Sequence, residues 1–149
     1  MLMKRRNFLR GLAAFAALAT FPRMLLAAWP EKAFKAKTLD ESLAALFGGT
    51  PPVASDQVNL KIPDIAENGA VVPVTVSTDM PDVESISVLV ANNPNPLAAS
   101  FELSPGTNAE VSTRIKMGQS SDVIGVVKTK SGAFMTRKEV KVTIGGCGG

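Results

Sequence analysis

Beyond Val58 the chain is a succession of short alternating runs closed by turn residues, and that punctuation constrains the fold more than any other feature. Alternation is strict in "VNLKI", where Val58, Leu60 and Ile62 share a face, and in "VSTRIKM", where Val111, Ile115 and Met117 oppose Ser112, Arg114 and Lys116. A period of two puts successive side chains on opposite faces, so each run reads as a half-buried strand. Similar runs cover 71–77, 85–91, 97–103, 123–129 and 133–144, for about seven strands in all. Asn68-Gly69, residues 92–96, Pro105-Gly106 and Ser131-Gly132 supply the turns, the last as a tight hairpin. With no long helix between strands, the pattern predicts an all-β fold, an immunoglobulin-like antiparallel β-sandwich over residues 57–144. Pro73 has no N–H to give to a ladder, so its strand is expected at an edge or with a bulge.

The predicted core is aliphatic. The chain has no tyrosine, its sole tryptophan is Trp29 and its sole cysteine is Cys147, so the tryptophan-and-disulfide core of antibody domains is absent and the likeness is architectural. Ahead of the strands, 29–47 has a helical pattern, with Thr38 and Glu41 spaced as a capping box before "LAALF" and Gly48-Gly49 as the stop. A short N-terminal helix is expected there. "TPPVASDQ" follows as a turn-rich connector, in which Pro51 and Pro52 prevent helix continuation and Asp56 closes a turn, so 29–56 reads as helix plus connector.

The first residues belong to a different kind of segment. "KRRNFLRG" resembles the twin-arginine export signal, with Arg5, Arg6, Phe8 and Leu9 in the matching places, and an alanine- and leucine-rich stretch follows over 11–21. Residues 1–28 are therefore expected to be a signal peptide cleaved after Ala28, although Leu26 stands where a small residue is usual. Pro22 and Arg23 interrupt the apolar run well short of the roughly 20 residues that span a bilayer, so no stable membrane insertion is expected after cleavage. The compartment implied is the periplasm. Removing Lys4, Arg5, Arg6, Arg10 and Arg23 from 16 basic residues leaves 11 against 13 acidic ones, a formal charge of −2. The mature chain then has no basic excess to suit nucleic acid, which is excluded as a partner.

The inventory for catalysis is poor. Without histidine there is neither a Ser-His-Asp arrangement nor an imidazole metal site, and a single thiolate cannot build a structural zinc site. Asp79, Asp82 and Glu84, and Asp122 in "SSD", lack ordered calcium-ligand spacing and read as solvated turns. No phosphate-cradling glycine loop joins a strand to a helix. No catalytic residue, metal site or cofactor is expected.

Chemistry concentrates instead in "KVTIGGCGG". Val140, Val142 and Ile144 alternate toward the core, and Gly145, Gly146, Gly148 and Gly149 then flank Cys147 in a segment with no other side chain to pack. Glycine loses more freedom on ordering than any other residue, so 145–149 is expected to be a flexible arm. It would span roughly 15 Å extended and pass through a channel about as narrow as the backbone. The terminal carboxylate disfavours a nearby thiolate, and no histidine or helix N-terminus adjoins in sequence to lower the pKa below the free value of about 8.5; Lys141 is the closest base. An unactivated thiol suits a carrier worked on by other proteins. An incidental cysteine, or one that joins two subunits of a structural module through a disulfide, fits composition equally well.

"VKVTIGGCGG" resembles the SoxY family, sulfur carriers of bacterial thiosulfate oxidation marked by a terminal Gly-Gly-Cys-Gly-Gly, and the export signal, the short helix and "AENGAVVPVTV" are similar too. The resemblance implies that Cys147 is the covalent attachment point for sulfur, with the four glycines as its swinging arm. It implies a heterodimer with a SoxZ-like small β-sandwich subunit. It also implies transient contacts with a c-type cytochrome, a manganese-dependent thiosulfohydrolase and, in some organisms, a sulfur dehydrogenase, with no catalysis by the carrier itself. A rival is a ubiquitin-like carrier loaded as a C-terminal thiocarboxylate, but those proteins are cytosolic and mix a helix into a four- or five-stranded sheet.

Overall fold

The computed structural model describes residues 30–143, so the export motif, Trp29 and everything from Ile144 onward lie outside the described residues. Where one helix was expected there are two, α1 (Glu31–Lys35) and α2 (Leu39–Phe47). The capping box itself causes the break. An N-cap residue leaves helical geometry so that its side chain reaches the amide three residues on. Thr38 is accordingly extended at φ −123°, ψ 157°, and its Oγ1 accepts from the Glu41 amide at 3.2 Å. The Glu41 carboxylate accepts from the amides of Lys37 (3.0 Å) and Thr38 (3.3 Å). Gly48 ends α2 at φ 69°, a conformation that favours glycine.

The Lys37 amide first, and the Thr38 amide after it, hold the Glu41 carboxyl below its ordinary pKa. A carboxyl depressed in the folded state contributes stability above its unfolded pKa and loses it as pH falls through the folded value. The thermal midpoint of Glu41→Ala should therefore lie below that of the parent at about pH 6, and the gap should narrow by about pH 3, below the usual glutamate value of about 4.3. A gap independent of pH would leave the carboxylate without a role in the cap.

Nine strands follow: β1 (Val53–Ala54), β2 (Val58–Lys61), β3 (Ile65–Ala66), β4 (Val72–Thr78), β5 (Val83–Val90), β6 (Leu97–Glu102), β7 (Glu110–Ile115), β8 (Ser121–Thr129) and β9 (Gly132–Val142). Seven match the alternating runs. The other two, β1 and β3, are two residues each and pair parallel with β9, Val53 opposite Phe134 and Ile65 opposite Lys141, so the sandwich is antiparallel apart from these short ladders. At two residues, neither can display a period, and β1 lies inside the proline-rich connector. The final hairpin pairs Thr129 with Gly132, which makes Lys130-Ser131 the loop, one residue earlier than Ser131-Gly132.

One sheet runs β1-β9-β8-β5-β6, with β3 also on β9, and the other runs β2-β4-β7. Their facing sides enclose the main core, which includes Val58, Val74, Val76, Ile86, Val88, Val123, Val127 and Val140. The larger sheet is covered on its outer face as well. Ala33, Phe34, Leu39, Leu43 and Leu46 of the helical segment pack on Leu89, Leu97, Ile124 and Val126. Coverage of both faces leaves β5 and β8 almost continuously buried, Ser85 and Ser87 included, while β7 alternates. Asn95 fixes the helical segment in place, its Nδ2 donating to the carbonyls of Phe34 (3.0 Å) and Ala36 (3.2 Å).

Pro73 corrects the edge-strand expectation, because β4 is central in its sheet. The ladder from β2 reaches only Lys61 opposite Thr75, whereas the ladder from β7 extends to Arg114 opposite Pro73 and Ile115 opposite Val72. Beside Pro73 the neighbouring strand has already ended, so the missing N–H interrupts no ladder on that side.

Candidate functional site

Cys147 and its flanking Gly145, Gly146, Gly148 and Gly149 lie outside the described residues, as do Arg5, Arg6, Phe8 and Leu9. The described structure defines the base from which the C-terminal segment departs. β9 pairs with β8 from Gly132 to Val140, and Val140 is fully buried. Beyond Val140 the chain leaves β8 and is held from other directions. The Lys141 amide donates to the Asp64 carbonyl (2.9 Å), the Val142 amide to Ser120 Oγ (2.9 Å), and the Thr143 amide to the Ala66 carbonyl (3.1 Å). Thr143 Oγ1 also donates to that carbonyl, at 3.4 Å. Three successive amides bonded to two separate segments, 64–66 and Ser120, fix the main chain through Thr143, four residues before the cysteine.

Gly69 completes this base. The Asn68 side chain closes its turn by accepting from the Ala70 amide (2.9 Å), and the Gly69 carbonyl accepts from the Met117 amide (2.6 Å). A Cβ at Gly69 would overlap the Met117 carbonyl and come within 2.9 Å of Val142 Cγ1. Sequence reading found Asn68-Gly69 as a turn, but only the tertiary contact reveals that the position also requires the absence of a side chain. Gly69→Ala should cost about 1–3 kcal/mol, read as a lowered thermal or denaturant midpoint, because the obstructing atom is backbone and cannot rotate away. An unchanged midpoint would remove Gly69 from the base.

Around the base the rim is polar and internally bonded. Asn93 Nδ2 donates to the Lys116 carbonyl (2.7 Å), Asn93 Oδ1 accepts from the Gly118 amide (3.1 Å), and Ser121 Oγ accepts from the Asn92 amide (2.9 Å). Among the described residues no group of three or more histidine, cysteine, aspartate or glutamate side chains could hold a metal ion. The acidic turn residues are exposed or paired at the surface: Asp82 with Lys130 (3.4 Å), Glu84 with Lys128 (3.3 Å) and Asp122 with Arg137 (3.7 Å). A cleft of about 730 Å³, lined by Met80, Asp82, Glu102, Leu103 and Lys130, lies at the far end of the sandwich, beside the β8–β9 turn. Among the described residues, no helix is long and apolar enough to cross a membrane.

A β-sandwich with helices on one face and a firmly held final strand defines an immunoglobulin-like class that serves many functions. The comparisons narrow it. The family model described as sulfur oxidation protein SoxY matches residues 43–147. The solved structure of the sulfur carrier protein SoxY from Chlorobium limicola f thiosulfatophilum is 41% identical, with a TM-score of 0.65 over 72% of this chain and 97% of that one. The chain belongs to the SoxY family. A superoxide reductase (neelaredoxin) from Ignicoccus hospitalis, 16% identical with a TM-score of 0.56 over 62% of this chain and 95% of that one, shares the fold alone. No curated protein matches the chain.

Proposed function

We propose that this protein is a periplasmic sulfur carrier that holds thiosulfate-derived intermediates on Cys147 and presents them to the enzymes of sulfur oxidation. The observation that supports this most is that the family match runs to residue 147, the sole cysteine, just beyond a strand bonded in place through Thr143. Gly145, Gly146, Gly148 and Gly149 supply reach and a slim profile, and Arg5, Arg6, Phe8 and Leu9 direct export. Residues 1–28 act as the signal and 145–149 as the arm. A SoxZ-like subunit pairs with the sandwich.

In the first step the Cys147 sulfur joins the outer sulfur of thiosulfate. The new S–S bond forms as two electrons pass to a c-type cytochrome and the thiol proton to solvent, leaving a cysteine S-thiosulfonate. Water then attacks the terminal sulfonate sulfur in a thiosulfohydrolase; the S–S bond to that sulfur breaks, sulfate leaves and a persulfide stays on Cys147. A sulfur dehydrogenase, where present, passes six electrons from the remaining outer sulfur to a cytochrome acceptor while three waters supply its oxygens, and hydrolysis of the resulting S-sulfonate releases a second sulfate and frees the thiol. The carrier supplies the attacking sulfur and its delivery, and no acid, base or metal.

Intact mass of the chain from thiosulfate-grown cells tests the proposal. Sulfur-containing adducts that map to Cys147 are expected. Sulfur gained at the terminal carboxyl, or a disulfide-linked dimer as the sole modified form, would overturn it.

A further inference from the structure

Helices cover the outer face of the larger sheet, but among the described residues nothing covers the outer face of β2-β4-β7. This face presents Asn59 and Lys61 from β2, Pro73 and Thr75 from β4, and Ser112 and Arg114 from β7, with Lys116 just beyond. Its strand positions are mostly polar, with exposed apolar surface limited to Pro73 and the adjoining Val71, which sets it apart from a surface made for a permanent subunit core. Its charges are distributed unevenly. Lys35, Lys128, Lys130, Arg137 and Lys138 each sit on a carboxylate, while Lys32, Lys37 and Lys141, which lie off this sheet, are exposed and form no ion pair among the described residues. Lys61, Arg114 and Lys116 form no ion pair among the described residues, and all three are exposed. Glu110 is opposite Ser77 at the far end of the face, and Asp64, at the near end, is held by Lys138 at 2.8 Å. Glu67, on the turn after β3, forms no ion pair with any of the three cations.

Register places these cations together. Lys61 is opposite Thr75 and Arg114 opposite Pro73, so the two lie on strands flanking β4, one pleat apart. On the Arg114 side of the face, between β4 and β7, a groove of about 480 Å³ is lined by Pro73, Thr75, Ser112 and Arg114. The hydroxyls of Thr75 and Ser112 bond each other at 2.8 Å and so are partnered within the face. The cationic end is also the end where Gly69 joins Met117 to Val142, so the face is continuous with the base of the C-terminal segment.

We propose that this face docks a partner protein through a carboxylate-bearing surface and so aims the arm at that partner's active site. The proposal rests on the carrier reading and adds to it the recognition surface and its sign. Exposed charge pairs steer association and fix register more than they add affinity, so the contact is brief and salt-sensitive, as a carrier that visits several enzymes requires.

The test uses the full chain, loaded with thiosulfonate at Cys147, as substrate for its purified thiosulfohydrolase. Lys61→Glu, Arg114→Glu and Lys116→Glu combined should lower kcat/KM about tenfold at low salt through KM, with kcat unchanged, and should flatten the salt dependence. The combined glutamine variant should fall between, and alkylation of Cys147 by neutral iodoacetamide should be the same in all three. Unchanged KM and salt dependence would overturn docking and leave the carrier reading intact. A loss confined to kcat, or parent chains that self-associate through this face, would also overturn it. If the parent Cys147 takes up no adduct, the carrier reading fails and docking with it.

Discussion

Cys147→Ser should abolish sulfur loading and, with it, thiosulfate-dependent respiration. Oxygen cannot replace sulfur in the step that matters, because the adduct is held through an S–S bond that a hydroxyl has no means of forming or releasing. The thiol is also the better nucleophile near neutral pH, with a free pKa of about 8.5 against a far less acidic hydroxyl. The chain contains no second cysteine to take over. Stability should scarcely move. The two cores and the β9 ladder are complete within residues 30–143, and a substitution outside them belongs to the class that shifts stability by about 0.5 kcal/mol or less. Three measurements separate the outcomes: intact mass for the adduct, oxygen uptake on thiosulfate, and the thermal midpoint. Retained sulfate formation by the serine variant would end the carrier proposal.

The parts of this protein that sequence revealed are those where one physical requirement leaves a local mark. Half-buried strands alternate, so β2 and β7 were legible from "VNLKI" and "VSTRIKM". The capping box at Thr38 and Glu41 was legible for the same reason, since both partners sit within one turn. Its consequence was missed: a cap begins a helix, so the apolar pattern of 29–47 had to break at Thr38. β1 and β3 were not legible because their order comes from β9, more than seventy residues away, and not from their own composition. The candidate site divides in the same way. Cys147 stands out because it is alone among glycines, whereas the bonds of Lys141, Val142 and Thr143 to Asp64, Ser120 and Ala66 depend on tertiary register. The unpaired state of Lys61, Arg114 and Lys116 is equally invisible in a sequence that contains both signs of charge throughout.

Gly125→Val should cost about 2 kcal/mol or more, although valine is a better strand former than glycine. Valine would gain up to about 1 kcal/mol from strand preference and from removing glycine's flexibility in the unfolded chain. Packing opposes this and wins. Gly125 lies on the inner face of β8, opposite Val88, and a Cβ there would stand 3.0 and 3.2 Å from the two methyls of Val76 and 3.7 Å from Leu60 Cδ1. That distance is already tight for one carbon, and valine adds two more in a core where Val76 is only 1% exposed. The sheets must separate or Val76 must leave its rotamer, and overpacking of this kind costs about 1–3 kcal/mol and occasionally more. Gly125→Ala should be near neutral, since its single carbon asks only a few tenths of an ångström from Val76 while gaining the same backbone benefit. Denaturant midpoints of Gly125→Val, Val76→Ala and the double variant would show whether the loss arises at that contact. Alanine at 76 alone opens a cavity and destabilises, but it should recover part of the loss when valine occupies 125, giving a coupling of about 1 kcal/mol or more. Additive losses would place the strain elsewhere along β8 and refute the close approach of Gly125 to Val76 as the reason for glycine.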